Sequence, residues 1–356
     1  LNFEFEERTQ TDRQRRESGW LHLIIDAHWH LNCPEAAQKA SQLNSVKASD
    51  YAGGVKDVTA EINLERAKIW NRKMADPHEQ VKDLDDAGID IAILQPPPIG
   101  YYYWTEPPIG AELSRMVNEA TASFVQRYAE RFLGWATVPL QDTELAIKEA
   151  RYAIETLKLC GVTITSNVNG VGLDDEKFLP FFATVEELDV PIFIHPGNPP
   201  GAERMRDYYL TNFLGFPLDT TLAVALLVFG GVFDRYPNLK ICLAHAGGVL
   251  PFLLGRFEHG QAERPEARER CKHPFSHYLK NIYVDTVTFR ADILQFVISV
   301  MPQGHIFFGT DYPFDMADLN GINIVKSAIT DKTELVQVFS GTISSLIQRP
   351  LSRIEG

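Results

Sequence analysis

"IIDAHWHLNCPE", Ile24 to Glu35, carries two histidines, His28 and His30, one residue apart directly behind an apolar run, with Asp26 two residues ahead of them. Side chains at i and i+2 of a strand share a face. If Leu23–Ile25 belongs to a buried strand, both imidazoles emerge side by side at its carboxyl end. That placement suits one metal ion, although an H-x-H triplet also arises by chance near an ordinary turn. The rest of the chain decides between the two.

Working outward, short apolar runs alternate with longer amphipathic stretches. His22–Ala27, Ile89–Leu94, Phe132–Val138, Val162–Thr165, Pro191–His195, Lys240–His245, Ile282–Asp285 and His305–Gly309 are mostly rich in Ile, Val, Leu or Phe with little alternation. Strands buried on both faces have this character. Between them, "DPHEQVKDLDDAG" offers Asp76 as an N-cap, Pro77 at the first helical position and Gly88 as a stop. "SRMVNEATASFVQRYAERF" and "DTELAIKEARYAIETLKL" space apolar residues at i, i+3 and i+4. Eight such units predict an α/β fold, a single closed (β/α)8 TIM barrel over residues 19–349. An open doubly wound sheet is the alternative, and no G-x-G-x-x-G after a strand supports it. The connections Leu31–Ala75 and His195–Leu218 are too long for simple barrel turns. The first reads as a small inserted subdomain and the second as a lid. Residues 1–18 read as a solvated arm and 350–356 as a tail.

The 356 residues are 45% hydrophobic, enough for a large core, and the formal net charge of -13 opposes sequence-independent binding to nucleic acid. Cys33, Cys160, Cys242 and Cys271 form no C-x-x-C pair and read as reduced thiols of a cytoplasmic protein. No apolar run approaches the ~20 residues of a membrane helix, and the start lacks the apolar core of a signal peptide.

In a barrel, the carboxyl ends of all strands converge on one mouth. Strand five ends "PIFIHPGNPP", strand six "KICLAHAGG" and strand eight "IFFGTDYPFD", which sets His195, His245 and Asp311 at the level of His28 and His30. Imidazoles and a carboxylate suit Zn2+ best, with Mn2+, Fe2+ or Co2+ as substitutes. His22 and His305 begin strands and belong to the opposite rim; His78, His259, His273 and His277 are not expected to ligate. Asp26 is either a partner for an imidazole N–H or a structural carboxylate. In "QPPPIGYYYW", Tyr101 to Trp104 are candidates to wall a flat substrate, Tyr103 and Trp104 foremost, or to pack beneath the lid.

D-x-H-x-H on strand one, H-P on strand five, "AHAGGVLPFLLGRFEHG" and "GTDYPFD" together resemble the amidohydrolase-related decarboxylases, in particular the aminocarboxymuconate-semialdehyde decarboxylases. The likeness runs from about Ile24 to Ser345 and takes in "YYYW" and "VFGGVFDRYPNLKICLAH". It implies a mononuclear Zn2+ site of His28, His30, His195 and Asp311, no organic cofactor, and His245 as general acid/base, with Asp311 as a second proton carrier. It implies that Arg256 binds a substrate carboxylate across a homodimer interface. Strand four, "GVTITSNVNG", lacks the lysine that bridges two metals in binuclear relatives. Two departures point to a different carboxylate. Gly197 stands where the resembled decarboxylases have tryptophan, and Lys68 or Arg72 is the nearest counterpart of their first-insertion arginine. The expected activity is metal-dependent, non-oxidative decarboxylation of an aromatic or unsaturated, enol- or amine-bearing acid, such as aminocarboxymuconate semialdehyde or a hydroxybenzoate. A zinc-dependent hydrolase or hydratase of a lactone, amide or ring-cleavage product is the alternative.

Overall fold

The apolar runs assemble side by side in chain order. The computed structural model of the chain describes residues 23–43 and 57–347; the expected arm and tail, and His22, lie outside the described residues. Among the described residues, seven strands form one curled sheet: β1 (Ile25–His30), β2 (Ile91–Gln95), β3 (Phe132–Thr137), β4 (Gly161–Thr165), β5 (Ile192–His195), β6 (Ile241–Leu243) and β7 (Ile282–Val284). Every neighbouring pair is parallel. Parallel neighbours require crossovers, and these are largely helical, so all strands point the same way and their carboxyl ends share one rim.

The eighth predicted strand, His305–Gly309, departs from regular pairing. Val284 N donates to His305 O and Phe307 N to Val284 O, while Ala27 N donates to Phe308 O and His30 N to Tyr312 O, each at 3.0 Å. The segment thus bonds to both sheet edges but forms only isolated bridges, Val284 with Ile306 and Trp29 with Tyr312. Two features interrupt the ladder. β1 shifts register between Asp26 and Trp29, and Gly309 lies so near β1 that a Cβ there would come within 2.8 Å of the His28 Cβ.

The strands are buried on both faces. One apolar cluster, including Ile25, Ile93, Trp135, Phe193, Cys242 and Phe307, fills the inside of the curl. A larger one packs residues such as Leu94, Ile164 and Ile194 against Phe181, Val224 and Leu227 of the surrounding helices. The helix Pro77–Ala87 forms as its caps predict. Asp76 accepts from His78 N at 2.9 Å, and Gly88 closes the helix at φ 72°, a left-handed conformation that glycine adopts at little cost. All four cysteines are free and buried.

The long first connection carries helices Pro34–Ser41 and Asp57–Ala75; the connection after β5 carries helical turns at Ala202–Arg204 and Thr211–Gly215. The continuous helical run Thr211–Phe229 corrects the expectation about apolar length. At 19 residues and mean hydropathy 1.6 it is long and apolar enough to cross a membrane by those measures alone, although half of it is buried inside the protein. Its sequence is apolar because it packs on the sheet through Ala223, Val224, Leu227 and Val228.

Candidate active site

Three imidazoles converge on a single oxygen. His28 Nε2, His30 Nε2 and His195 Nε2 stand 3.1, 2.9 and 3.7 Å from Asp311 Oδ1. His245 Nε2 instead faces the other oxygen, Asp311 Oδ2, at 3.2 Å. The rings of His28, His30 and His195 lie 5.1 to 5.3 Å apart, so the H-x-H pair of β1 and the end of β5 meet although 165 residues separate His30 from His195. One ligand atom each from His28, His195, His245 and Asp311 falls within a span of 4.8 Å. That group takes in His245, which the family likeness assigns to proton transfer, and omits His30.

The backbone is bent to bring these groups together. Asp311 has φ 64° and His245 φ 54°, both left-handed. Such conformations cost about 1–3 kcal/mol at a non-glycine residue and persist where surrounding contacts over-determine them. Here Asp311 N donates to His28 O at 2.9 Å, and His245 N donates to Asp285 Oδ2 at 3.0 Å.

The electrostatics suit a cation. His28 Nε2, His195 Nε2 and His245 Nδ1 are buried with no hydrogen-bond partner. The first two are near the carboxylate without the alignment of a hydrogen bond, as expected of donors aimed at a common centre. Burial opposes charge on His28, but the Asp311 and Asp285 carboxylates outweigh it and lift its pKa to about 10. Burial pushes His195 down to about 3 and lowers His30, against the pull of Asp311. Burial also opposes the Asp311 carboxylate, yet the facing His28 charge and the nearby His195 and His245 imidazoles hold its pKa well below the usual range. Neutral His30 and His195 beside an ionised carboxylate fit a divalent ion, whose charge would take the place of the proton that His28 otherwise holds.

The other ring nitrogens are anchored. His28 Nδ1 pairs with Asp285 Oδ2 at 2.8 Å, His30 Nδ1 with Pro96 O at 3.3 Å and His195 Nδ1 with Pro196 O at 2.9 Å. Asp285 also accepts from the backbone of His245, Ala246 and Val287, which ties the ends of β6 and β7 to β1. It was visible in sequence as the last residue of the predicted strand Ile282–Asp285, but only its place beside His28 reveals its role. Asp26 does not take that role. Its carboxylate accepts from His28 N, Thr310 N and Thr310 Oγ1 at 2.9, 3.2 and 2.6 Å, joining the two ligand-bearing segments through their backbone. Behind His195, Gly197 N donates to Ser166 Oγ and to Asp219 Oδ2 at 3.0 and 3.2 Å. A Cβ at Gly197 would sit 3.1 Å from the Thr165 Cβ, so the bulky side chain of the resembled enzymes would crowd this loop.

The predicted substrate contacts are less concentrated. Lys68 is exposed on the helix Asp57–Ala75, and the structure does not bring it to the cluster. Arg66, two residues earlier, pairs with Asp315 Oδ2 at 3.0 Å, four residues beyond Asp311. From the same helix Trp70 meets Phe314, whose ring is 5.0 Å from that of His30. These contacts went unpredicted because a surface helix carries no strand-end signal. Tyr103 is buried against Tyr101, and Trp104 packs on the apolar cluster around Cys33 and Leu113. Arg256 is exposed on the helix Leu250–Glu263, outside the cluster.

The chain matches the model of the amidohydrolase family over residues 25–320. It is 37% identical over 315 residues, 86% of each chain, to the 2-amino-3-carboxymuconate-6-semialdehyde decarboxylase of Dictyostelium discoideum. The crystal structure of a 2,6-dihydroxybenzoate decarboxylase complexed with 2,6-dihydroxybenzoate superposes with a TM-score of 0.79 at 25% identity, covering 92% of this chain and 100% of that one. A dihydroxybenzoic acid decarboxylase from Polaromonas sp. JS666, with bound manganese and the inhibitor 2-nitroresorcinol, superposes at 0.77 with 24% identity, covering 92% and 97%. The chain belongs to the amidohydrolase family. Within it, the chain stands with the decarboxylases.

Proposed function

We propose that this protein is a divalent-metal-dependent, non-oxidative decarboxylase of an aromatic or unsaturated carboxylic acid bearing an enol, phenol or amine. The observation that carries this reading is the split of the cluster about Asp311, three imidazoles on Oδ1 and His245 alone on Oδ2. The first three histidines and Asp311 would hold the ion, with His245 left for proton transfer. Zn2+ suits the donor set, and the manganese in a structural neighbour supports Mn2+ as well. When bound, the ion supplies Lewis acidity, orienting and polarising an oxygen of the substrate.

His245 is 17% exposed, against 0–4% for the other three rings, so it alone can exchange protons readily with solvent. A proton shared between His245 Nε2 and Asp311 Oδ2 passes to the substrate carbon that bears the carboxylate. The carbon–carboxylate bond then breaks, its electron pair restores the conjugated system, and carbon dioxide leaves. No organic cofactor is needed, because the conjugated substrate is its own electron sink.

The same reading extends to the architecture. Residues 305–312 serve as the eighth stave of a closed (β/α)8 barrel among the described residues, and the described helices after β1 and β5 cover its mouth; the Arg66–Asp315 pair supports this cover. Exposed Leu214, Leu218 and Leu222, with Phe252 one turn from Arg256, suit a homodimer in which Arg256 reaches the neighbouring site. The buried free thiols suit the cytoplasm.

Carbon dioxide release from a panel of hydroxybenzoates and muconate semialdehydes by Mn2+- or Zn2+-loaded protein tests the function. Gas evolution matched by loss of the acid is the expected result. Turnover of lactones or amides without gas would replace decarboxylation by the hydrolase reading.

A further inference from the structure

Beside the histidines, the inner face of the sheet carries a polar relay that metal binding does not use. Gln95, last residue of β2, is register partner to His30 on β1 and is fully buried. Its Oε1 accepts from Thr163 Oγ1 at 2.9 Å, and Thr163 Oγ1 lies 2.6 Å from the Tyr101 hydroxyl. With the Thr163 hydrogen committed to Gln95, Tyr101 is the donor of the second bond. The Gln95 amide nitrogen is left with no partner among the described residues. Thr137, register partner of Thr163 and also fully buried, likewise has a hydroxyl without a partner. Thr163 pairs in turn with Phe193, whose ring is 5.0 Å from that of His28. Gln95, Thr137 and Thr163 therefore share the inner face, near the catalytic rim, with the ligand histidines.

Buried polar groups are almost always satisfied, and each exception calls for an explanation. Reversing the amide would only exchange which of its two polar atoms is left over. A hydroxyl group satisfies either orientation, since it both donates and accepts.

We propose that the Gln95 carboxamide and the Thr137 hydroxyl form a recognition site for a phenolic or enolic hydroxyl of the substrate, set on the inner face beside the groups that hold the metal. This rests on the decarboxylase reading and narrows it to acids with a hydroxyl beyond the one oriented by the ion. A site built around such a hydroxyl discriminates against the analogue lacking it, because its own polar groups are then stranded.

The test compares each dihydroxybenzoate with the monohydroxybenzoate that lacks one hydroxyl. The wild type is expected to favour one dihydroxy acid by at least about 10-fold in kcat/KM. Gln95→Met should bring that preference to within about 3-fold, with metal content retained and the change in kcat/KM falling mainly on the dihydroxy acid. A purely structural role would instead lower both acids together. A preference that survives Gln95→Met, or a wild type that shows none, overturns the proposal. Should Gln95→Met not fold, Thr137→Val, which matches threonine in shape and leaves the relay intact, decides the matter. Its preference should fall by about 3- to 10-fold, and an unchanged preference would overturn the site. If no acid releases carbon dioxide, the functional reading fails on its own; the Kd values of the same acid pairs on Mn2+-loaded protein then report whether the hydroxyl is recognised.

Discussion

His273 and His277 stack their rings 4.1 Å apart, closer than any pair in the strand-end cluster, where centroids stand 5.1 to 5.4 Å apart. Proximity of imidazoles alone therefore does not make a site. His273 and His277 are exposed, and the neighbour of His277 is a cation, Lys280 Nζ at 3.1 Å. Burial and the charge of Lys280 lower the His277 pKa, and the nearby Asp234 carboxylate accepts from Tyr278 and from Lys272 N. At the strand ends, by contrast, each of the rings His28, His30 and His195 has one nitrogen anchored and the other turned toward a buried carboxylate. What separates the two regions is the sign of the enclosed charge and the orientation it imposes.

Breaking the buried cluster should have the largest effect. His195→Ala is expected to lose both metal and turnover, with metal falling below ~0.2 per chain after reconstitution, as read by elemental analysis. His245→Ala should retain metal and lose ~10²–10⁴ in turnover, as for a general acid/base; equal metal loss in both variants would make His245 a ligand. Asp285→Asn keeps the shape but weakens the anchor of His28 and should raise the metal Kd by ~10–100-fold in a competition titration.

A smaller effect concerns the carboxylate that joins the two ligand segments by their backbone. Burial, opposed by the Thr310 and His28 hydrogen bonds, raises the Asp26 pKa from 3.8 to about 7. The folded state then holds a proton that the unfolded chain releases, so this contribution favours folding below pH ~4 and is lost progressively as pH rises toward ~7. Asp26→Asn should flatten that fall, by ~1–4 kcal/mol between pH 4 and 8 in urea denaturation. At the other extreme, His277→Ala should change stability by less than ~0.5 kcal/mol and leave metal content untouched. Metal loss there would mean that exposed stacked histidines also bind, and the contrast would dissolve.

Much of this was readable from local pattern. The caps of the helix Pro77–Ala87 lie within a dozen residues and act through their own backbone, so Asp76 and Gly88 behave as their types predict. The strands are short and apolar because both faces are covered, which leaves a composition signal that survives without an alignment. The cover over the mouth was less legible. Arg66 rather than Lys68 reaches Asp315, because two positions along a helix turn a side chain by about 200° and only the docking angle selects which one faces inward. Tyr103 and Trp104 resemble a substrate wall in sequence, and aromatic side chains after a strand serve equally well as packing; in the fold Tyr103 meets Tyr101 and Trp104 the apolar cluster around Cys33.

The order of the chain alone established a repeating strand-and-helix unit and placed His28, His30, His195, His245 and Asp311 at carboxyl ends. It could do so because hydrophobic period and strand direction are local properties. The partnership of His28 with Asp285, the division of imidazoles between the two Asp311 oxygens and the inward face of Gln95 arose only on folding. Each depends on distances between residues up to 283 positions apart, set by how the sheet curls and not by any neighbouring letter.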